Sequence, residues 1–186
     1  MRCFWIIALI CMTVLGKAQQ RNVAKSVFGV QTGLLGVWGY NELKLSSHIA
    51  LRSELGFDCG FWGGMNYDKT IFLMAPVITL EPRLYYNLSE RVEKAKKTHN
   101  NSGNFVSLKT SFHPDWFVMS NDEDIRVISD ISIIPTWGIR RSIGNHFNYE
   151  AGVGLGYRYT FAEDAGYNEN ESEVAWNIHL RMGYAF

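Results

Sequence analysis

The chain has 186 residues, one domain's worth, and its 47% hydrophobic and 14% aromatic content excludes a disordered polypeptide. Eighteen basic residues balance eighteen acidic ones, so the bulk charge offers no footprint for nucleic acid and no such partner is expected.

The first residues, "MRCFWIIALICMTVLGKAQQ", combine Arg2, an apolar run from Cys3 to Leu15 and a small-x-small site at Gly16-Lys17-Ala18. That order reads as a secretory signal peptide over 1–18, cleaved near 18–20, ahead of a single domain over 19–186. The apolar run falls short of the roughly 20 residues of a membrane helix. Cys11 follows Ile10, which lacks the small size required before a lipidated cysteine, so lipid attachment is not expected. Beyond the leader, Cys59 is the only cysteine. It allows neither an intramolecular disulfide nor a thiolate metal site and reads as a small apolar residue; no cofactor or metal is expected.

No later apolar run is long enough for a membrane helix, so a membrane-crossing reading requires strands closed into a barrel. Period-two alternation runs through the chain. In "VFGVQTGLLGVWGYN", read as one strand, Phe28, Val30, Thr32, Leu34, Gly36, Trp38 and Tyr40 oppose Gly29, Gln31, Gly33, Gly39 and Asn41. In "SSHIALRSELGFDCGF", Ile49, Leu51, Leu55 and Phe57 oppose His48, Arg52, Glu54 and Asp58. "PVITLEPRLYYN" sets Ile78, Leu80 and Leu84 against Thr79, Glu81 and Arg83; "FVSLKTSFHPDW" sets Val106, Leu108 and Phe112 against Ser107, Lys109, Ser111 and His113. Prolines 76, 82 and 114 lack a ladder donor and are expected at bulges or strand ends.

The run 127–140 sets Ile131, Ile133 and Trp137 against Asp130, Ser132, Thr136 and Arg140, with Ile128 and Ile134 as exceptions. In 147–161, Tyr149, Val153, Leu155 and Tyr157 oppose Glu150, Gly152, Gly154, Gly156 and Arg158. The last run places Val174, Trp176, Ile178, Leu180, Met182, Tyr184 and Phe186 opposite Asn177, His179, Arg181 and Ala185.

Seven strands are read clearly, and even counts in single-chain barrels call for an eighth, either in "AQQRNVAKS" or hidden where two strands read as one. The connectors alternate between long polar ones, "FWGGMNYDKT", "VMSNDEDI" and "AEDAGYNENESE", and tight turns at "ELKLSS" and "SIGNH". "LSERVEKAKKTHNNSGN" breaks the pattern; it reads as a solvated turn with a short helix capped by Ser89 and carrying Glu90–Lys94 and Glu93–Lys97 pairs.

Alternation alone also fits a soluble sandwich or lipocalin-like barrel with its apolar face inward. Runs of about 12 to 15 residues exceed the mode of about 5 or 6 for globular strands and the roughly 9 to 11 that cross a bilayer. Glycines 152, 154 and 156 leave room inside a narrow barrel. Aromatic residues collect near run ends, at Trp38, Tyr40, Phe57, Trp62, Tyr85, Tyr86, Trp116, Trp137, Tyr157 and Phe161, as interfacial girdles do. These features favour the membrane reading.

With the polar faces inward, the lumen collects His48, Asp58, His113, Asp115, Asp130 and Arg140 with a network of Arg52, Glu54, Glu81, Arg83, Lys109, Glu150, Arg158, His179 and Arg181. Ser132, His113, His179 and Glu150 could supply parts of a hydrolytic site, but no nucleophile motif surrounds them and an enzyme is not expected. "GVGLGYR" lies within a strand and so is no phosphate loop, and "NDED" and "AEDAGYNENESE" lack the twelve-residue calcium pattern.

The terminal run with Tyr184 and Phe186, together with "LRSELGFD" and "HFNYEAGVGLGYRYTF", resembles the small, porin-like outer-membrane β-barrel proteins of Gram-negative bacteria over nearly all of 19–186. The resemblance implies an all-β, antiparallel up-and-down transmembrane β-barrel of about eight strands with a polar lumen, located in the outer membrane. Its implied partners are outer-membrane lipid, the barrel-assembly machinery reading Tyr184 and Phe186 as a signal, and an unidentified extracellular ligand at the polar loops. The function expected is a structural or surface-binding scaffold; a small-solute pore, a membrane enzyme acting on lipid or peptide, and a soluble secreted lipocalin-like binding protein are the alternatives.

Overall fold

The computed structural model describes residues 22–62, 71–122 and 125–186. The expected leader over 1–18, most of "FWGGMNYDKT", the side chain of Trp62 and two carboxylates of "NDED" lie outside the described residues.

The described residues form nine strands, β1 (Ser26–Gly33), β2 (Gly36–Lys44), β3 (Ile49–Trp62), β4 (Ile71–Tyr85), β5 (Asn104–His113), β6 (Met119–Ser120), β7 (Asp130–Ile143), β8 (Phe147–Thr160) and β9 (Glu171–Ala185), and one α-helix, α1 (Leu88–Glu93), between β4 and β5. All pairings are antiparallel. Every strand but β6 pairs with its neighbours in sequence and β9 pairs with β1, so eight strands close a ring; β6 adds only a short pairing to β4.

The eighth strand comes from the run read as one. β1 and β2 are separate strands joined by a two-residue turn, Leu34–Leu35, between the paired Gly33 and Gly36. Residues directly opposite one another in a ladder share a face. Since Gly33 opposes Gly36, the odd-numbered face of β1 continues onto the even-numbered face of β2. Trp38 and Tyr40 are therefore buried inside the ring rather than girdling it, while Val37 and Leu43 are exposed outside. Residues 22–25 of "AQQRNVAKS" precede β1 and form no strand.

Elsewhere the faces lie as the alternation requires. Leu55, Leu80, Leu108, Ile133, Val153, Leu155, Ile178 and Leu180 are exposed on the outer face, and Arg52, Glu54, Thr79, Glu81, Arg83, Ser132, Thr136, Arg140, Glu150 and Asn177 are buried inside. Ile134 is buried with them. Glycines on the inner face admit large neighbours: a Cβ at Gly152 would lie 2.9 Å from His179 Nε2, and one at Gly138 would lie 2.9 Å from Phe105 Cε1.

Two prolines depart from expectation. Pro76 and Pro82 stand within β4, with no bulge at Pro82: Leu80 pairs with Thr110 and Arg83 with Ser107, so the register is unchanged across the two unpaired positions. Pro82 pairs only with Leu51 of β3, which leaves its donorless nitrogen on the β5 side. Pro114 does follow the end of β5.

The connector from β4 to β5 is not a solvated turn. Asn87 occupies the helix cap position instead of Ser89, and Glu90 pairs with Lys94, but Glu93 forms no ion pair with Lys97. Leu88 packs with Val23, Ala50, Tyr85 and Phe105, and Thr98, Asn101 and Ser102 are buried. Asn101 Oδ1 accepts from the Ala24 amide at 2.8 Å, which ties the segment before β1 to this connector. Together they form a floor across one end of the ring. The opposite end carries the Leu34–Leu35 turn, the strand ends at Trp62 and Ile71, and the described connector residues 114–122, 125–129 and 161–170.

Candidate functional site

The half of the interior next to the floor holds one ionic cluster. Glu42 of β2, which sequence reasoning assigned to a turn, sits at its centre. Its Oε1 accepts from Arg52 Nη1 at 3.0 Å, from Arg83 Nη1 at 3.4 Å and from Arg140 Nη1. Its Oε2 accepts from Asn101 Nδ2 at 2.8 Å and from the Tyr85 hydroxyl at 3.1 Å. Arg83 makes a two-pronged pair with Glu150, 2.8 Å on each prong, and donates to Glu81 at 2.7 Å. Arg52 pairs with Glu54 and donates to Gln31 Oε1 at 2.5 Å; Arg181 reaches both oxygens of Glu54, at 2.8 and 3.1 Å.

Four guanidiniums thus face four carboxylates, and all eight side chains are buried. Each guanidinium also lies over an aromatic ring: Arg52 and Arg140 over Tyr40 at 4.0 and 4.9 Å, Arg83 over Phe105 at 4.2 Å, Arg181 over Trp38 at 4.0 Å. Arg83, Arg140 and Arg181 have no acceptor for Nε among the described residues, so ring contacts supplement an incomplete hydrogen-bond set. Trp38, Tyr40 and Phe105 thus serve the cluster from inside as rings under guanidiniums, and Tyr85 serves it through its hydroxyl on Glu42.

Above the cluster a cavity of about 680 Å³ opens toward the end with the long connectors. Its most organised feature is His113, whose Nδ1 lies 3.0 Å from Asp130 Oδ1 and whose Nε2 lies 3.1 Å from Asp58 Oδ2. Asp58 accepts in addition from Trp38 Nε1 at 2.7 Å. Among the described residues no set of three His, Cys, Asp or Glu side chains is placed to hold a metal ion.

Of the residues expected in the polar network, Arg52, Glu54, Glu81, Arg83, Glu150 and Arg181 belong to the cluster, and His179 approaches it, Nε2 standing 3.4 Å from Glu150 Oε1. Lys109 and Arg158 line the cavity instead. Arg158 pairs with Glu173 at 3.2 Å and Asp130 at 3.5 Å, whereas Lys109 forms no ion pair among the described residues. His48 lies in the turn before β3, and Asp115 is exposed beyond β5; neither enters the interior. Ser132, His113, His179 and Glu150 do not assemble into a nucleophile and base: Glu150 is committed to Arg83, and both nitrogens of His113 face carboxylates. Tyr184 and Phe186 meet at the β9–β1 seam, where Phe186 stacks on Phe28 at 5.4 Å and its amide donates to the Phe28 carbonyl at 2.9 Å.

No family model matches the chain, and neither does any curated protein or solved structure.

Removing one partner from a buried ion pair strands the other charge, at a cost of about 3–5 kcal/mol. Glu42→Ala removes the shared partner of three guanidiniums and is expected to lower unfolding stability by at least about that much. Glu90→Gln, at a solvated pair, is expected to leave the transition in place. Urea titrations of both variants followed by tryptophan fluorescence check the contrast; equal midpoints would remove the central role of Glu42.

Proposed function

We propose that the protein is an integral outer-membrane β-barrel that serves as a binding scaffold, with a sealed lumen at one end and a ligand-facing surface at the other. The observation that carries this reading is the inverted burial. Leu, Ile, Val and Trp side chains cover the outer face of the ring, while eight charged side chains are buried inside. In water such a continuous apolar exterior would drive aggregation, whereas hydrocarbon accepts it. A soluble lipocalin-like barrel requires the opposite arrangement.

Further support comes from the ladder, which closes over the floor-side part of the ring and there satisfies strand backbone groups where lipid cannot, and from aromatic side chains around the floor end. Phe28, Phe147, Tyr184 and Phe186 form a chain of ring contacts 5.3–5.4 Å apart, and Trp137 Nε1 donates to the Tyr86 hydroxyl at 2.9 Å. The leader and the resemblance to small outer-membrane barrels add location. The ionic cluster and floor argue against a through-pore, and the commitment of Glu150 to Arg83 and of His113 to Asp58 and Asp130 argues against hydrolysis. Binding then falls to the cavity and the connectors around it, on a rigid scaffold suited to that task.

The direct test is fractionation of expressing cells, with gels of the outer-membrane sample run before and after boiling. A membrane-bound band whose mobility changes on heating is expected, together with no steady conductance in planar bilayers. A soluble band of fixed mobility would return the lipocalin-like reading, and sustained single-channel currents would return the pore. Leu180→Arg, on the outer face, is expected to cost about 2–4 kcal/mol of folded stability in lipid if it lies near the midplane; refolding into vesicles under a urea gradient measures it, and a neutral effect would place that face away from hydrocarbon. Phe186→Ala removes a ring at the seam and half of the proposed Tyr184–Phe186 assembly signal. It is expected to lower the amount of heat-modifiable protein in the outer membrane, and unchanged levels would dismiss the signal.

A further inference from the structure

The ring wall is incomplete above the β1–β2 hairpin. β9 pairs with β1 only up to Arg181, opposite Gly33; residues 171–180 of β9 pair with β8 alone. Those ten residues are about 34 Å of strand at about 3.4 Å per residue. On the other side of the hairpin, β2 begins at Gly36 opposite Asp58, and Cys59 donates to the Leu35 carbonyl at 2.8 Å, so Gly60–Trp62 of β3 have no β2 partner. Among the described residues, β9 and β3 therefore flank a notch whose sill is the Leu34–Leu35 turn.

The cavity passes through this notch. It is lined by inward-facing Asn177, His179 and Arg181 and also by outward-facing Trp176, Ile178 and Leu180 of the same strand. A paired wall would separate those two faces; one cavity touching both must wrap over the free edge of β9. The lips are apolar and open, with Leu34 82% and Ile178 71% exposed.

Charge inside the cavity is one-sided. Lys109, Arg126, Arg158 and Arg181 line it against Asp58 and Asp130. Both carboxylates are engaged by His113, Arg158 pairs with Asp130 and Glu173, Arg181 is held by Glu54, and Lys109 has no ion pair among the described residues. Its ammonium stands partly buried on the cavity wall, where an entering anionic head group can pair with it.

We infer that the cavity binds a single-chain anionic amphiphile, a long-chain carboxylate, which reaches it sideways through the notch with its head at Lys109 and its tail between Leu34–Leu35 and Trp176–Leu180. The inference rests on the membrane reading, because only a lipid-facing wall gives a lateral notch a supply of amphiphile. The volume of about 680 Å³ is of the size that takes one small ligand.

The test uses the full chain folded in detergent and verified by its heat-modifiable band, with tritiated palmitate as probe. Saturable binding near one palmitate per chain is expected, weakened at least tenfold by Lys109→Gln and restored by Lys109→Arg. Hexadecanol, which has the tail without the charge, is expected to compete at least tenfold less well. Palmitate bearing a photoreactive diazirine at its methyl end should label the peptides containing Leu34–Leu35 and Trp176–Leu180. A heat-modifiable protein that shows no saturable binding, or whose binding is indifferent to Lys109→Gln and to the head group, overturns this inference and leaves the barrel intact. Adducts confined to 115–118 and 163–167 overturn the lateral route, since the tail would then lie at the open end. A soluble protein without a heat-modifiable band would instead fail the membrane reading on which the inference stands.

Discussion

Glu42 and the three guanidiniums around it set the terms for the rest of the molecule. Desolvating four arginines and four acids is tolerable only where partners are close and water is excluded from all sides. A closed antiparallel ring supplies that exclusion, and its strict alternation has an unavoidable consequence: once the charged face points inward, the apolar face of every strand points out. The floor belongs to the same requirement. Asn101 completes the coordination of Glu42 from the connector, and Leu88 and Val23 cover the cluster from below. The apolar exterior is thus a corollary of the ionic interior, and the membrane reading follows from the pair rather than from either alone.

Legibility in the sequence tracked how much charge each strand carries. In β3, β8 and β9, pairs such as Arg52 and Glu54, Glu150 and Arg158, or His179 and Arg181 mark one parity without ambiguity, and that parity is the inner face of the ring. The β1–β2 hairpin carries no such mark. Its turn is Leu34–Leu35, flanked by glycines, with none of the Asn, Asp or Pro that announce most hairpins. The apolar parity of β1 runs through those leucines into Trp38 and Tyr40, which are inward residues serving as platforms for guanidiniums. An aromatic ring over a cation looks, in a string of letters, like an aromatic ring in oil.

Two further differences have local causes. Glu42 reads as part of a turn because the alternation merges its strand with β1, and the 88–104 connector reads as solvated because it is rich in lysine. Its lysines are indeed at the surface; Thr98, Asn101 and Ser102, which follow them, are what the interior uses. Small polar residues carry no period and no hydropathy signal when their burial depends on partners far away in sequence. The prolines within β4 were unexpected for a related reason, since a strand can forgo one ladder bond on one side without changing register.

The position of the ionic cluster along the ring is itself explained by the short hairpin. β1 and β2 have 8 and 9 residues where β3, β4, β7, β8 and β9 have 14 or 15, so the wall has all its strands only over the lower part of the ring. Gly33 opposite Arg181 is the last point at which β1 and β9 are paired, and Arg181 is the β9 member of the cluster. Below that level, eight strands exclude solvent and charges are buried in pairs. Above it the wall is open on one side, and the inward groups, His113, Lys109 and Arg158, are only partly buried. The hairpin's length therefore divides one continuous polar face into a sealed half that holds the ring together and an accessible half that is free to meet a ligand.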